Sequence, residues 1–303
     1  MASKASKAEE FRNEITSKII TALESGTAPW QQPWNGSEAP HNAITRHQYN
    51  GINTVILSMA AMSMGVINND NRWLTFNQAS EAGYKIKAGS KGTHVLLWKP
   101  TITTDEHGNR GITSVLQRTF TVFHASKIEG IPEYVPPEIN IIAAHEKAEK
   151  IISDSGVRIF FDGGEAYYKP IEDYIQMPPK EDFKSQEGYY STTLHELCHA
   201  TGHPSRLNRV QRCGRFSQEY AFEELVAELG SLFIASSAGI PQSETEFQNH
   251  ASYIESWLKN LRNDNMYIFR AAAEANKVAG FLLKNAGQVE GQIENQNSCE
   301  AGE

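Results

Sequence analysis

Apolar positions along this chain repeat with two different periods, and the change of period divides it. Over residues 9–25, Phe11, Ile15, Ile19, Ile20 and Leu23 recur at helical spacing, which predicts an amphipathic helix with one buried stripe. A turn rich in proline and aromatics spans 28–34. A second helix passes through Leu57 and Met59, and a third opens at 72–79 and ends at Gly83. The period then shortens to two: 84–87, 94–98 and 118–123 read as strands, the first two joined by the basic turn 89–92, with a polar hairpin tip over 103–111. Glycine and proline over 129–137 punctuate the chain. Beyond them come a helix near 139–155 and short strands at 157–160, 166–169 and 174–177. Next is a helix over 189–202 with Gly202 as its left-handed cap, then a helix starting at Ser217 with the stripe Leu225, Val226, Leu229, Leu232 and Phe233, and a long helical region over 244–285. This order predicts an α+β chain of two domains: 1–130, a linker over 131–145, and 146–285 with a small mixed or antiparallel sheet packed on helices. The polar tail 286–303 is expected to be disordered.

Charge sharpens the division. The chain carries −8 overall, but residues 1–130 hold 13 Lys and Arg against 10 Asp and Glu, whereas 131–303 hold 15 against 26. A mildly basic half beside an acidic one points to two separate jobs. No apolar run reaches 18 residues, so no membrane span is expected. Three scattered cysteines, Cys198, Cys213 and Cys299, suggest a reducing cytoplasm and not a disulfide framework.

Four of the five tryptophans precede residue 100, interleaved with cations. Single-stranded nucleic acid is held by such a combination, with cations on phosphates and aromatic faces on unstacked bases. The candidate contacts are Trp30, Trp34, Arg46, Tyr49, Asn53, Arg72, Trp73, Lys85, Lys87 and Lys91. The competing reading for each tryptophan is burial in a core.

The second half contains His195-Glu196-Leu197-Cys198-His199. On a helix, residues four apart share a face, so both imidazoles can converge on one divalent ion, most simply zinc, with Glu196 placed to take a proton from bound water. Cys198 points off that face and reads as packing. His145-Glu146 starts the same pattern without a second histidine and reads as a solvated helix face. His203 is a poor third ligand, since a straight helix carries it about 12 Å from His195. Glu224 and Glu228 lie four apart beside a strongly apolar stripe and supply two candidates. Thermolysin-like zincins have a similar pattern, a ligand glutamate followed four residues later by an acid that hydrogen-bonds a ligand histidine. That resemblance implies Glu224 as ligand and Glu228 as its supporting carboxylate, with the opposite assignment still open.

Pro29-Trp30 with Pro33-Trp34, Tyr49-Asn50-Gly51-Ile52-Asn53, Arg72-Trp73-Leu74-Thr75-Phe76-Asn77-Gln78-Ala79 and Lys87-Ala88-Gly89-Ser90-Lys91-Gly92 together resemble one module. It is the single-stranded-DNA-binding domain shared by ArdC-type antirestriction proteins and TraC-type primases of conjugative plasmids. Tyr189-Tyr190, the histidine motif, Gly202-His203-Pro204-Ser205-Arg206-Leu207 and 223–228 resemble the zincin domain of the ArdC family. The likeness spans about 8–285. It implies a plasmid-borne protein that binds single-stranded DNA with little sequence preference and protects incoming DNA from restriction. Its metallopeptidase-like site would take a host protein as peptide substrate, added to a sheet edge such as 174–177. Arg206, Arg209, Arg212 and Arg215 would admit an acidic substrate or touch DNA. The alternative is a strand-coating protein whose metal domain is structural or regulatory. DNA mimicry fits poorly with a basic first half, and nuclease sites lead with carboxylates, not imidazoles.

Overall fold

The computed structural model describes residues 7–26, 28–30, 38–66, 70–104, 110–136, 140–209, 217–241 and 251–288. Trp34, Arg212, Arg215, the centre of the expected hairpin tip and the tail from 289 lie outside the described residues.

The chain divides into two units, but not at a single cut. Ala39–Pro136 forms one, while Met1–Glu38 joins Pro137–Glu303 in the other. The expected boundary near 130 thus has a counterpart at 136, whereas the first helix, α1 (Lys7–Glu24), belongs with the C-terminal helices. Its buried stripe explains why: Phe11 meets Phe269 at 6.5 Å, and the Thr16 hydroxyl donates to the Asn265 carbonyl at 3.2 Å. Trp30 then stands edge-on to Trp257 at 5.7 Å.

The interior unit contains β1 (His41–Asn42), α2 (Ile52–Ser63), β2 (Arg72–Thr75), α3 (Phe76–Glu81), β3 (Lys85–Ile86), β4 (Thr93–Thr104), β5 (Arg110–His124) and β6 (Ile128–Glu129). Its main sheet has the order β1-β2-β5-β4, with β1 parallel to β2 and the rest antiparallel; β3 and β6 form a separate ribbon. Where a helix was expected from residue 72, the backbone is extended as far as Thr75. Successive strand residues face opposite sides, and Trp73 and Leu74 do so here. Trp73 packs with Leu57, Ala61, Val95 and Val122, and Leu74 with Ala79 and Ile128. Thr75 then caps α3 in a reciprocal box with Gln78.

The second unit continues with α4 (Ile141–Asp154), β7 (Arg158–Phe160), β8 (Tyr167–Lys169), β9 (Tyr174–Gln176), α5 (Gln186–Ala200), α6 (Gln218–Ala238), α7 (Ala251–Asn263) and α8 (Tyr267–Asn285). Its small sheet is mixed, in the order β7-β9-β8. Because β9 is the central strand, 174–177 offers no edge to a peptide; the edges are β7 and β8. The long C-terminal helical region is two helices, broken where the Asp264 carboxylate accepts the Met266 amide at 2.8 Å. The axis of the unit is α6, buried almost without interruption from Glu223 to Ser236. A Cβ at Gly230 would lie 3.0 Å from Cys198 Sγ and 3.3 Å from Val278, so glycine there lets α6 approach both α5 and α8. Cys198 is fully buried at that contact, as packing requires.

Candidate metal centre

Two capped helices supply the site. Ser185 caps α5 by accepting the Gly188 amide at 3.1 Å, and Ser217 caps α6 by accepting that of Tyr220 at 3.1 Å. The end of α5 differs from expectation. Gly202 does not adopt a left-handed conformation. Instead Arg206 Nε donates to the Ala200 carbonyl at 2.7 Å, while its guanidinium binds Asp173 and the Tyr168 hydroxyl on the β8–β9 turn.

His195 and His199 project together from α5, their Nε2 atoms 3.1 Å apart. Glu224 on α6 faces both, with Oε2 at 3.5 Å from His195 Nε2 and Oε1 at 3.7 Å from His199 Nε2. One donor atom from each of the three lies within 4.8 Å of the others, a set that could hold a metal ion. The other ring nitrogens face two further carboxylates. His195 Nδ1 lies 3.6 Å from Glu228, and His199 Nδ1 lies 3.4 Å from Glu223. A ring whose Nδ1–H is turned to a carboxylate presents Nε2 as a bare lone pair, the tautomer a metal needs.

Glu223 was not singled out in the sequence, although it stands directly beside Glu224. Its signal lay in the loop after α5. Arg209 clamps the Glu223 carboxylate at 2.7 and 3.0 Å, and also donates to the Thr201 hydroxyl and the Cys198 carbonyl, each at 2.8 Å. Arg206 and Arg209 are therefore committed inside the protein and are not available to an acidic substrate or to DNA. His203 turns to Ser205 at 2.7 Å and Asp173 at 3.8 Å, apart from the histidine pair. Tyr220, one turn before Glu224, was also missed. Burial and the Glu224 charge push its phenol up, and its hydroxyl lies 3.4 Å from that of Tyr253.

The electrostatics suit a cation. Glu196, Glu223, Glu224 and Glu228 are all buried, and among the described residues Arg209, its side chain 8% exposed, is the guanidinium that pairs with one of them. Burying several like charges together is costly, so the cluster favours added positive charge. With protein groups alone, the histidines supply it. Burial pushes the His195 ring down, but Glu224, Glu228 and Glu196 outweigh this and raise it; His199 is raised further by Glu224 and Glu223. Burial pushes the Glu224 carboxyl up, and the two histidines bring it far below the ordinary range. Three donors around a surplus of buried carboxylates fit a divalent ion. Glu223→Gln or Arg209→Ala should loosen His199 and lower metal affinity about 10- to 100-fold without changing stoichiometry; competition with a chromogenic chelator measures this.

The candidate strand contacts scatter. Trp30 is 2% exposed and sits in the helical unit, and Trp73 is wholly buried, so neither offers a face to a base. Their apolar area is better used in a core, the competing reading given above. Asn53 spends its amide on the Leu96 backbone, donating at 2.7 Å and accepting at 2.8 Å. Arg72 pairs with Asp70 through two bonds of 2.9 Å and lies over Tyr134. Tyr49 is half-buried against the core around Trp73. Arg46, Lys85, Lys87 and Lys91 are exposed.

Residues 146–274 match the family described as zincin-like metallopeptidase, and residues 9–123 match the N-terminal domain of anti-restriction factor ArdC. Crystal structures of the antirestriction ArdC protein from plasmid R388, metal-free and Mn(II)-bound, superpose with a TM-score of 0.75 at 35% identity. They cover 92% of this chain and 98–99% of theirs. An uncharacterised Sinorhizobium fredii protein, y4eC, is 34% identical over 90% of this chain and 91% of its own length. DNA primase TraC of Escherichia coli is 38% identical over 295 residues, which are 90% of this chain but 27% of the primase.

Proposed function

Because the chain belongs to the ArdC antirestriction family, we propose that it binds single-stranded DNA with little sequence preference and protects incoming plasmid DNA from restriction in the host cytoplasm, with help from a metal-dependent peptidase-like site. The observation that carries the catalytic half is the convergence of both Nε2 atoms with Glu224 in a pocket of buried carboxylates. Zinc suits two imidazoles and one carboxylate, and such a shell accepts other divalent ions as well.

His195, His199 and Glu224 would hold the ion, and Glu228 and Glu223 would fix the two rings. A bound divalent ion supplies Lewis acidity, polarising a carbonyl and bringing the pKa of water to about 7. Glu196 follows His195 directly and is buried at the same site, and both histidines feel its charge. As general base it takes the proton of the attacking water and returns it to the amine that leaves. The peptide is a segment of a host protein, and the open edges of β7 and β8 are where it could add as a strand.

The interior unit supports the DNA half. Ala39–Pro136 carries nine Lys and Arg against six Asp and Glu in a chain that is acidic overall. The second reading, strand coating alone with a structural metal domain, is favoured only by this basic unit standing apart in sequence from the metal residues. A restriction-protection assay separates the two. Glu196→Gln should retain its metal and lose protection. Protection that persists in that variant with metal bound rules out proteolysis as the mechanism.

A further inference from the structure

Trp30, Trp73 and Trp257 are buried and offer no stacking platform, so another aromatic among the described residues is the better candidate to meet a base. Phe76 is 61% exposed, the most exposed phenylalanine among the described residues. Its backbone is also well anchored. As the first residue of α3 it follows Thr75, whose hydroxyl accepts the Gln78 amide at 3.2 Å while Gln78 Oε1 accepts the Thr75 amide at 3.0 Å. The same Gln78 oxygen accepts from Asn42 Nδ2 at 2.9 Å, and the Asn42 side-chain Oδ1 accepts the amides of Ile44 and Thr45, each at 2.9 Å. One hydrogen-bonded network thus fixes the backbone that carries two exposed apolar side chains, Phe76 and Ile44, the latter 48% exposed and neither packed in a core.

A cation flanks this pair. Thr75 and Thr93 both register with Val122 on β5, so Phe76 and the Lys91–Gly92 turn lie on either side of that strand. Two strand spacings put Thr75 and Thr93 roughly 10 Å apart, and from that level Phe76 continues one way along β5 and Lys91 the other. They share a face. A Cβ at Gly92 would lie 2.3 Å from the Thr121 methyl and 3.1 Å from the Phe123 ring, and Phe123 packs on the α3 side. Gly92 therefore lies against the sheet face that also carries α3, and Lys91 beside it is exposed.

Resting on the DNA-binding reading above, we infer that Phe76 is the stacking platform of the interior unit, receiving a base of a single DNA strand whose phosphate is held by Lys91, with Ile44 extending the apolar floor. An exposed ring on an anchored backbone, with a lysine on the same face of a net-positive unit, suits an unpaired polyanion, whose bases are free to stack; an apolar protein partner would not need the cation.

Anisotropy of a labelled oligothymidylate with the full-length chain tests this. Phe76→Ala should weaken binding about 5- to 140-fold, and Phe76→Tyr should restore it. Both variants should melt with the wild type, because the ring is on the surface. Lys91→Gln should weaken binding and lower the slope of log affinity against log salt by about 0.7. If the wild type binds and Phe76→Ala binds equally well, this inference is overturned and the functional reading stands. If the wild type binds no single strand at any salt, both fall.

Discussion

Glu224→Gln should leave the protein essentially without metal. Wild-type chain purified without chelator should carry about one divalent ion, by elemental analysis, and the variant only a small fraction of it. Among the described residues, the oxygens of Glu224 are the carboxylate oxygens that face both Nε2 atoms, at 3.5 and 3.7 Å. Glutamine keeps the shape and removes the charge, so two neutral imidazoles are left as the donor set. Glu228→Gln should behave differently. Its carboxylate faces Nδ1 of His195, behind the ring, at 3.6 Å, so its loss should cost about 10- to 100-fold in affinity and leave stoichiometry intact at saturating metal. If the two variants exchange behaviours, Glu228 is the ligand and Glu224 the support.

Trp73→Ala should unfold the interior unit long before it tests any contact with DNA. The indole is fully buried, edge-on to His124 at 4.9 Å and packed with Leu57, Val95 and Val122. Deleting so large a buried ring costs about 3–5 kcal/mol, enough to lower the melting temperature of a unit this size by more than about 10 °C. Circular dichroism melts should show that loss, and DNA binding should disappear with the fold. Phe76→Ala, by contrast, should leave the melt alone. A Trp73→Ala chain that melts like the wild type would contradict the buried placement.

The grouping of the candidate metal ligands was largely legible in the sequence because their spacing is helical and local. His195, His199, Glu224 and Glu228 each sit four residues from a partner, and any helix brings such pairs onto one face. Glu223 and Arg209 were illegible for the opposite reason: their meeting depends on how the loop after α5 folds back, which no periodicity records. The strand at 72–75 was mistaken for helix because four residues are too few to show a period, and its two-sided burial appears only when both cores exist. Trp30 and Trp73 misled because aromatics serve cores and bases alike, and composition does not distinguish the two; Phe76, though it stands in the 72–79 motif, was not singled out because nothing in its immediate sequence marks it as exposed.

The pairing of α1 with the helices at the far end of the chain also has a consequence in time. Thr16 bonds to a residue 249 positions later, and Asn13 to one 252 positions later. At a synthesis rate of about 5–20 residues per second, the ribosome takes roughly 12–50 s between making the first helix and making its partners. The interior unit, whose contacts all fall between, can fold during that interval, while the apolar stripe of α1 waits uncovered.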